Sequence, residues 1–300
     1  WVCYAVCIAV VACVFAGWGY SKTPWRMGLE AIIETTLVIY AFSLYYSNTS
    51  MYDPAWTFLP LFIAVGWIVT SDTPLTLSPR GLYTFVLLFL WCVRYVVMHP
   101  WDGWTKGVHA EDWRYIEYYK AVGGGIVYWI GSLVSLHLTP SLLVFFGLGP
   151  VQKVWSAGKG GTPLSYLDLV AIIVTVSALC IQTMADYQLT TFRGVYSSQT
   201  ASDPTKCCRS GLWSWSRHPN YFGEALFWLG IALIGFAENQ QEGFGWSWGG
   251  SIAMFLFFRL SCHLTDQRNL KRKPGYSTVM NEVSAFVLCP PKSTVSQKLD

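Results

Sequence analysis

The sequence predicts an all-α fold, a polytopic transmembrane helix bundle of about seven to eight spans. Three observations carry this. Hydrophobic residues make up 53% of the 300-residue chain and charged residues only 12%, where soluble domains carry about a quarter charged. Apolar stretches long enough for the ~30 Å hydrocarbon core recur along the chain, separated by polar turns. The 16 Trp, 17 Tyr and 17 Phe suit the aromatic belts of a membrane protein.

The elements follow in order. Trp1–Trp18 reads as the first span. It has no basic leading region and no clear cleavage site, so it does not read as a signal peptide. Leu29–Tyr46, Ala55–Thr70 and Gly81–Met98 are the next three. Val122–Leu148 is long and contains Pro140, which lacks a backbone donor and crowds the preceding turn, so a kink or break is expected there. Leu164–Asp186 is the sixth. Pro219 can open the seventh, Tyr221–Phe236, because the first turn of a helix has no use for its missing N–H. Phe244–Leu264 is the eighth, followed by a polar tail. There is no internal repeat and no linker long enough to divide the chain.

With eight spans, Lys22, Arg26, Arg80, Lys153 and Lys159 share one face. The other receives Lys106, Arg114, Lys120, Arg193, Lys206, Arg209, Arg217, Arg268 and the Lys271–Lys273 run. The positive-inside rule places that richer face in the cytoplasm or its equivalent. The segments that look chemical fall on it too: Tyr52-Asp53-Pro54, Glu111-Asp112-Trp113-Arg114-Tyr115, Ala185-Asp186-Tyr187, the Arg217–Glu224 run and Asp266-Gln267-Arg268. One polar cavity open to the cytosol would produce this asymmetry. Topology alone explains the lysines, but explains less well why Asp53, Arg94, Asp186, Glu224 and Arg259 sit inside spans or at their ends. No basic patch interleaved with aromatics points to nucleic acid. The nine Cys form no C-x-x-C and the His show no paired spacing, which argues against a metal site.

The run Ser216 to Glu224 is the densest in chemistry. It brings a guanidinium, an imidazole, an amide, a phenol and a carboxylate to the start of an apolar span, where polar groups are costly and usually functional. Asn220 and Glu224 share a helical face. Arg193, Arg209, Arg217, Arg259 and Arg268 can each fork onto phosphate oxygens, and each also reads as a headgroup contact. Arg259, inside an apolar run, needs an internal partner. Asp186 and Asn220 can receive ribose hydroxyls or a carboxamide, or else tie helices together. Asp53 opens the third span and Tyr95 lies near the end of the fourth, on the same face. A carboxylate beside a phenol can orient it for proton delivery; the alternative is a helix cap and an interfacial aromatic.

Gly211-Leu212-Trp213, with Ser216-Arg217-His218-Pro219-Asn220-Tyr221-Phe222-Gly223-Glu224, resembles the C-terminal signature of the steroid 5-alpha-reductase superfamily, in its steroid reductase-like branch. Tyr52 to Trp56, Trp91 to Tyr95, Glu111 to Tyr115 and Ala185 to Tyr187 are similar to that branch in the same order. The apolar stretches that precede the matching segments read as N-terminal transmembrane helices over 1–48, and the resemblance covers the rest. It implies a reductase-like transmembrane domain over 49–300, with a cytosol-facing cofactor cavity and a polar tail. It implies NADPH, and reduction of a conjugated double bond in a sterol-like or other lipid enone. By position it makes Asp53 and Tyr95 catalytic. For the cofactor it carries over Gln182, Asp186, Arg193 and Asn220, and the reading of the residues themselves adds Arg217, His218, Tyr221, Glu224, Arg259 and Arg268 to the cofactor-binding set. The chain departs from the family in carrying Asp53 where the steroid reductases keep Glu, and Tyr52 where they keep Gln. Two other readings stand beside it. Isoprenylcysteine methyltransferases carry a related Arg-His-Pro-x-Tyr turn over S-adenosylmethionine. A family member without cofactor can serve as a structural subunit among protein partners in a membrane complex. Membrane lipids are partners in every reading. The endoplasmic reticulum is the family's usual membrane, with a mitochondrial or other organelle membrane as the alternative.

Overall fold

The computed structural model describes residues 1–18, 23–71, 78–98, 106–158, 161–194, 206–242, 245 and 247–292. Lys22, Lys159 and Phe244 of the topology argument lie outside these. The described residues are helical, with no strand among them. The helices are α1 (Val2–Cys13), α2 (Pro24–Tyr46), α3 (Ala55–Val69), α4 (Pro79–Met98), α5 (Lys106–His109), α6 (Trp113–Ala121), α7 (Gly125–Ser132), α8 (Thr139–Gly147), α9 (Gly149–Ala157), α10 (Tyr166–Phe192), α11 (Pro219–Glu238), α12 (Ser247–Arg272) and α13 (Tyr276–Glu282).

The chain is an integral membrane protein by its helices. Five helical stretches among the described residues are long and apolar enough to cross a membrane: Pro24–Tyr46, Thr49–Val69, Gly125–Ala157, Tyr166–Phe192 and Pro219–Glu238. Val2–Gly17 is apolar but shorter. α4 and α12 cover most of the fourth and eighth predicted spans but fall outside that set. α12 runs on past its apolar part into Lys271 and Arg272. The fifth predicted span stays one helical stretch, Gly125–Ala157, but changes hydrogen-bond register just before Pro140. A π-turn over Leu133–Leu138 lets Thr139 N–H reach back to the Val134 carbonyl, and α8 restarts with Pro140 in its first turn.

Two compact units emerge: Trp1–Ala171 with Ile231–Ser251, and Ile172–Gly230 with Ile252–Asp300. The first is built on Trp67, Trp91, Phe145, Leu59, Ile63 and Leu88, all essentially buried. Polar stitches cross it where hydrocarbon offers no alternative partner. Ser141 Oγ lies 2.7 Å from Thr36 Oγ1 and 2.8 Å from the Tyr52 hydroxyl. Thr49 Oγ1 meets the Tyr128 hydroxyl at 2.6 Å, and Tyr4 donates to the Met51 carbonyl at 2.8 Å.

In the second unit α10 and α11 approach closely through small residues. A Cβ at Gly230 would meet the Thr175 side chain, and one at Gly223 would lie 2.6 Å from Gln182 Cγ. Glycine is what lets these backbones come together. Ala225, Cys262 and Phe286 form one core cluster here, and Tyr276, Val279 and Val283 another.

Candidate functional site

The Ser216–Glu224 run divides into two halves with different duties. The first half holds the tail. Ser216 Oγ donates to the Phe286 carbonyl at 2.8 Å, and Arg217 N–H donates to the Ser284 carbonyl at 2.8 Å. The Arg217 guanidinium reaches the Met280 and Val283 carbonyls at 3.0 and 2.6 Å and Asp266 Oδ2 at 2.8 Å. Asp266 Oδ1 also sits 2.7 Å from His218 Nε2 and accepts from the Tyr276 hydroxyl at 2.5 Å. Burial alone would raise the Asp266 carboxyl. The hydrogen bonds from His218, Arg217 and Tyr276 outweigh it and hold the group well below the ordinary carboxylate range. Burial pushes the Tyr276 phenol up, and the Asp266 carboxylate beside it pushes it further. Arg217 and His218, expected among the cofactor ligands, thus turn to Asp266 and, in the case of Arg217, to tail carbonyls as well.

The second half faces α10. Asn220 Nδ2 donates to Asp186 Oδ1 at 3.2 Å, while Asn220 Oδ1 accepts from the Tyr221 N–H at 3.0 Å. Asp186 and Glu224 are buried. Gln182, one turn before Asp186, is fully buried, and neither its Nε2 nor its Oε1 has a hydrogen-bond partner among the described residues. A buried amide with both ends unmade is rare and costly. The Gly211-Leu212-Trp213 segment docks on the same stretch of α10. Leu212 N–H donates to Gln188 Oε1 at 2.9 Å, and Trp213 Nε1 donates to the Ala185 carbonyl at 2.9 Å. The Tyr221 ring stacks on His218 with centroids 5.5 Å apart. Arg259 finds its internal partner in the Phe286 ring, 5.5 Å away. Arg193 follows the end of α10, exposed, and Arg268 lies half-buried in the last turns of α12.

In the first unit Asp53 Oδ1 accepts from the Tyr115 hydroxyl at 2.7 Å. The phenol expected there was that of Tyr95. Its ring instead packs edge-on against Trp56 and Trp91, at 4.9 and 5.3 Å, beneath the Arg94 guanidinium. Burial raises the Tyr115 phenol well above its ordinary pKa, and the Asp53 carboxylate adds to this. Tyr115 therefore keeps its proton and can donate it. The helix that carries Tyr115 is fixed by its own motif. Asp112 caps α6 by accepting from Arg114 N–H, and Glu111 accepts from Thr49 N–H at 2.9 Å. The Asp112 N–H donates to Ser50 Oγ at 2.7 Å. Glu111 to Tyr115 stood out in the sequence as chemical, and its partner turn, Thr49–Tyr52, leads directly into Asp53.

Sequence reasoning missed a second polar cluster in this unit. Arg80, at the start of α4, bonds Asp168 through Nε at 2.6 Å and Nη2 at 2.8 Å, and Glu238 through Nη1 at 2.6 Å. Tyr83 donates to Asp168 at 2.6 Å, and Thr162 N–H donates to Glu238 at 3.0 Å. The predicted topology already set these span ends on one face; nothing in the local sequence paired them. Beside Glu238 lies a cavity of about 720 Å³, lined also by Lys153, Thr162 and Asn239. An apolar cavity of about 480 Å³ is lined by Trp1, Tyr4, Phe58, Phe62 and Cys92. Neither cavity is lined by a cofactor candidate.

An uncharacterized protein of Schizosaccharomyces pombe (strain 972 / ATCC 24843) is 24% identical over 294 residues, covering 91% of this chain and 82% of its own length. No solved structure matches the chain. A family model does, over residues 39–283. The chain belongs to the family described as protein of unknown function (DUF1295), which is related to steroid 5-alpha-reductase-like proteins.

Proposed function

We propose that the chain is an integral-membrane, NADPH-dependent reductase of a conjugated double bond in a lipid substrate. The observation that carries this reading is the unmade amide of Gln182, beside the Asn220–Asp186 pair and against the bare backbone of Gly223. A buried donor and acceptor left together suit a ligand that offers both, as a nicotinamide carboxamide does. Gln182, Asp186 and Asn220 would hold the cofactor, with Arg193 available to a phosphate. When bound, NADPH would supply the reducing equivalent. Asp53 with Tyr115 is the candidate proton-handling pair. The Tyr115 hydroxyl is the donor, and Asp53 orients it. Arg217, His218 and Asp266 act one step back, fixing the turn from which Asn220 projects.

The test is thermal unfolding of the detergent-extracted protein with and without NADPH. A ligand that binds the native state raises the midpoint. NADPH is expected to stabilise the wild type. Asn220→Ala is expected to fold and to bind NADPH about tenfold more weakly, the usual effect of one lost hydrogen bond to a ligand. Stabilisation by S-adenosylmethionine in place of NADPH, or by neither, would overturn the reading.

A further inference from the structure

α12 has two faces from Ile252 onward, and they differ in kind. The inner one carries Met254, Cys262 and Asp266, all buried, with Phe258 packed against the Cys262 cluster. The outer one carries Ile252, Leu256, Leu260 and Leu264, every fourth residue, each more than half exposed. At ~1.5 Å rise per residue this apolar stripe runs ~18 Å. Lys271 lies seven residues beyond Leu264, two turns on along the same face, and Arg272 is exposed beside it.

Among the described residues the basic end of the stripe has no counter-charge within its unit. The described carboxylates there are Asp186, Glu224, Asp266 and Glu282. Asp186, Glu224 and Asp266 are buried, and Glu282 pairs with Arg209. Among the described residues none pairs with Lys271 or Arg272. Burial lowers the Lys273 ammonium from its ordinary pKa, Cys207 and Cys208 offset part of this, and the guanidinium groups of Arg193 and Arg272 add to it.

We propose that this outer face of α12 is a docking surface for an anionic phospholipid. Its acyl chains lie along Ile252, Leu256, Leu260 and Leu264, and its headgroup meets Lys271 and Arg272. The apolar stripe selects hydrocarbon and its basic end selects negative charge. Together they fit one amphipathic anion better than either a neutral lipid or a soluble phosphate. The inference does not depend on the cofactor assignment.

The test is native mass spectrometry of the detergent-extracted full chain, titrated with phosphatidylserine or with phosphatidylcholine, together with a free phosphate control. The wild type is expected to retain phosphatidylserine preferentially and to be indifferent to inorganic phosphate. Each cation near an anionic surface is worth about fivefold in affinity, so Lys271→Gln/Arg272→Gln should lose about 25-fold of that preference. Both side chains are exposed and pair with none of the described residues, so the variant should melt like the wild type in phosphatidylcholine nanodiscs. Equal retention of the two lipids by the wild type, or an undiminished preference in the double variant, would overturn the proposal. Displacement of the lipid by inorganic phosphate would do the same, by showing a site for phosphate alone.

Discussion

Each unit buries one ionic hub, and the two are built the opposite way round. In the first the hub is a cation: the Arg80 guanidinium holds Asp168 and Glu238. In the second the hub is an anion: Asp266 gathers Arg217, His218 and Tyr276. A buried ion pair adds little net stability, but removing one partner strands the others in low dielectric. The difference therefore predicts how each hub fails. Without Arg80 two carboxylates are stranded; without Asp266 the Arg217 guanidinium still has two carbonyls to bond.

The largest effect is expected at Arg80. Arg80→Met should cost about 5 kcal/mol or prevent folding, by stranding two buried acids. Arg80→Lys should recover part of that, since a point charge cannot fork onto Asp168 as the guanidinium does. Yield and thermal unfolding in detergent measure both. A mild Arg80→Met variant would remove the contrast between the hubs.

Asp266→Asn comes second, at about 3 kcal/mol. It also carries a pH signature. The folded carboxyl is held below its ordinary value, so its contribution is complete above that ordinary value and is lost as pH falls toward the folded one. Wild-type stability should thus decline on acidification below the normal carboxylate range, and the Asn variant should decline less. Superimposable stability curves would show that the Asp266 charge is not what holds the tail.

The fold was legible where periodicity and proline chemistry act locally. The apolar spans, the irregular turn before Pro140 and the helix start at Pro219 are all properties of contiguous residues. The site was legible only in part. Asn220 and Asp186 were named together and meet. The pairing of Arg80 with Asp168 and Glu238 joins residues 88 and 158 positions apart, and no local pattern encodes a partner at that distance. Arg217 and His218 carried the right signal, a polar cluster set against hydrocarbon, but the signal does not say whether the partner is a ligand or the chain's own tail. Tyr115 was missed for a similar reason. A phenol on either of two segments can reach a carboxylate, and the choice rests on how Glu111 and Asp112 dock on Thr49 and Ser50.

Gln182 sharpens the comparison from the other side, because its amide belongs to neither hub and satisfies nothing. Gln182→Leu keeps the volume and removes an unmade donor and acceptor. Deleting such groups relieves a desolvation cost, so the variant should be about 1–2 kcal/mol more stable than the wild type without ligand, and should lose stabilisation by NADPH. The Arg80 variants should do neither. Unfolding with and without NADPH separates the outcomes. A destabilised Gln182→Leu protein would mean the amide has a structural partner after all.

The smallest effect is expected at Tyr115, the phenol that donates to Asp53. Tyr115→Phe deletes a single hydroxyl that donates to a carboxylate and leaves the ring packing unchanged. A hydrogen bond to a charged acceptor contributes about 1.5–3 kcal/mol, less whatever water recovers. Asp53 is only partly buried, so about 1 kcal/mol of stability should be lost, near the low end of that scale. Tyr95→Phe should leave Asp53 alone, since its ring sits among Trp56, Trp91 and Arg94. Only Tyr115→Phe should therefore change the Asp53 carboxyl. That group loses a hydrogen-bond donor, so its carboxyl stretching band should shift. Infrared difference spectroscopy of the Asp53 carboxyl, with Asp53→Asn as the blank, reads this directly. A shift in Tyr95→Phe and none in Tyr115→Phe would return the pair to the residues the family pattern implies.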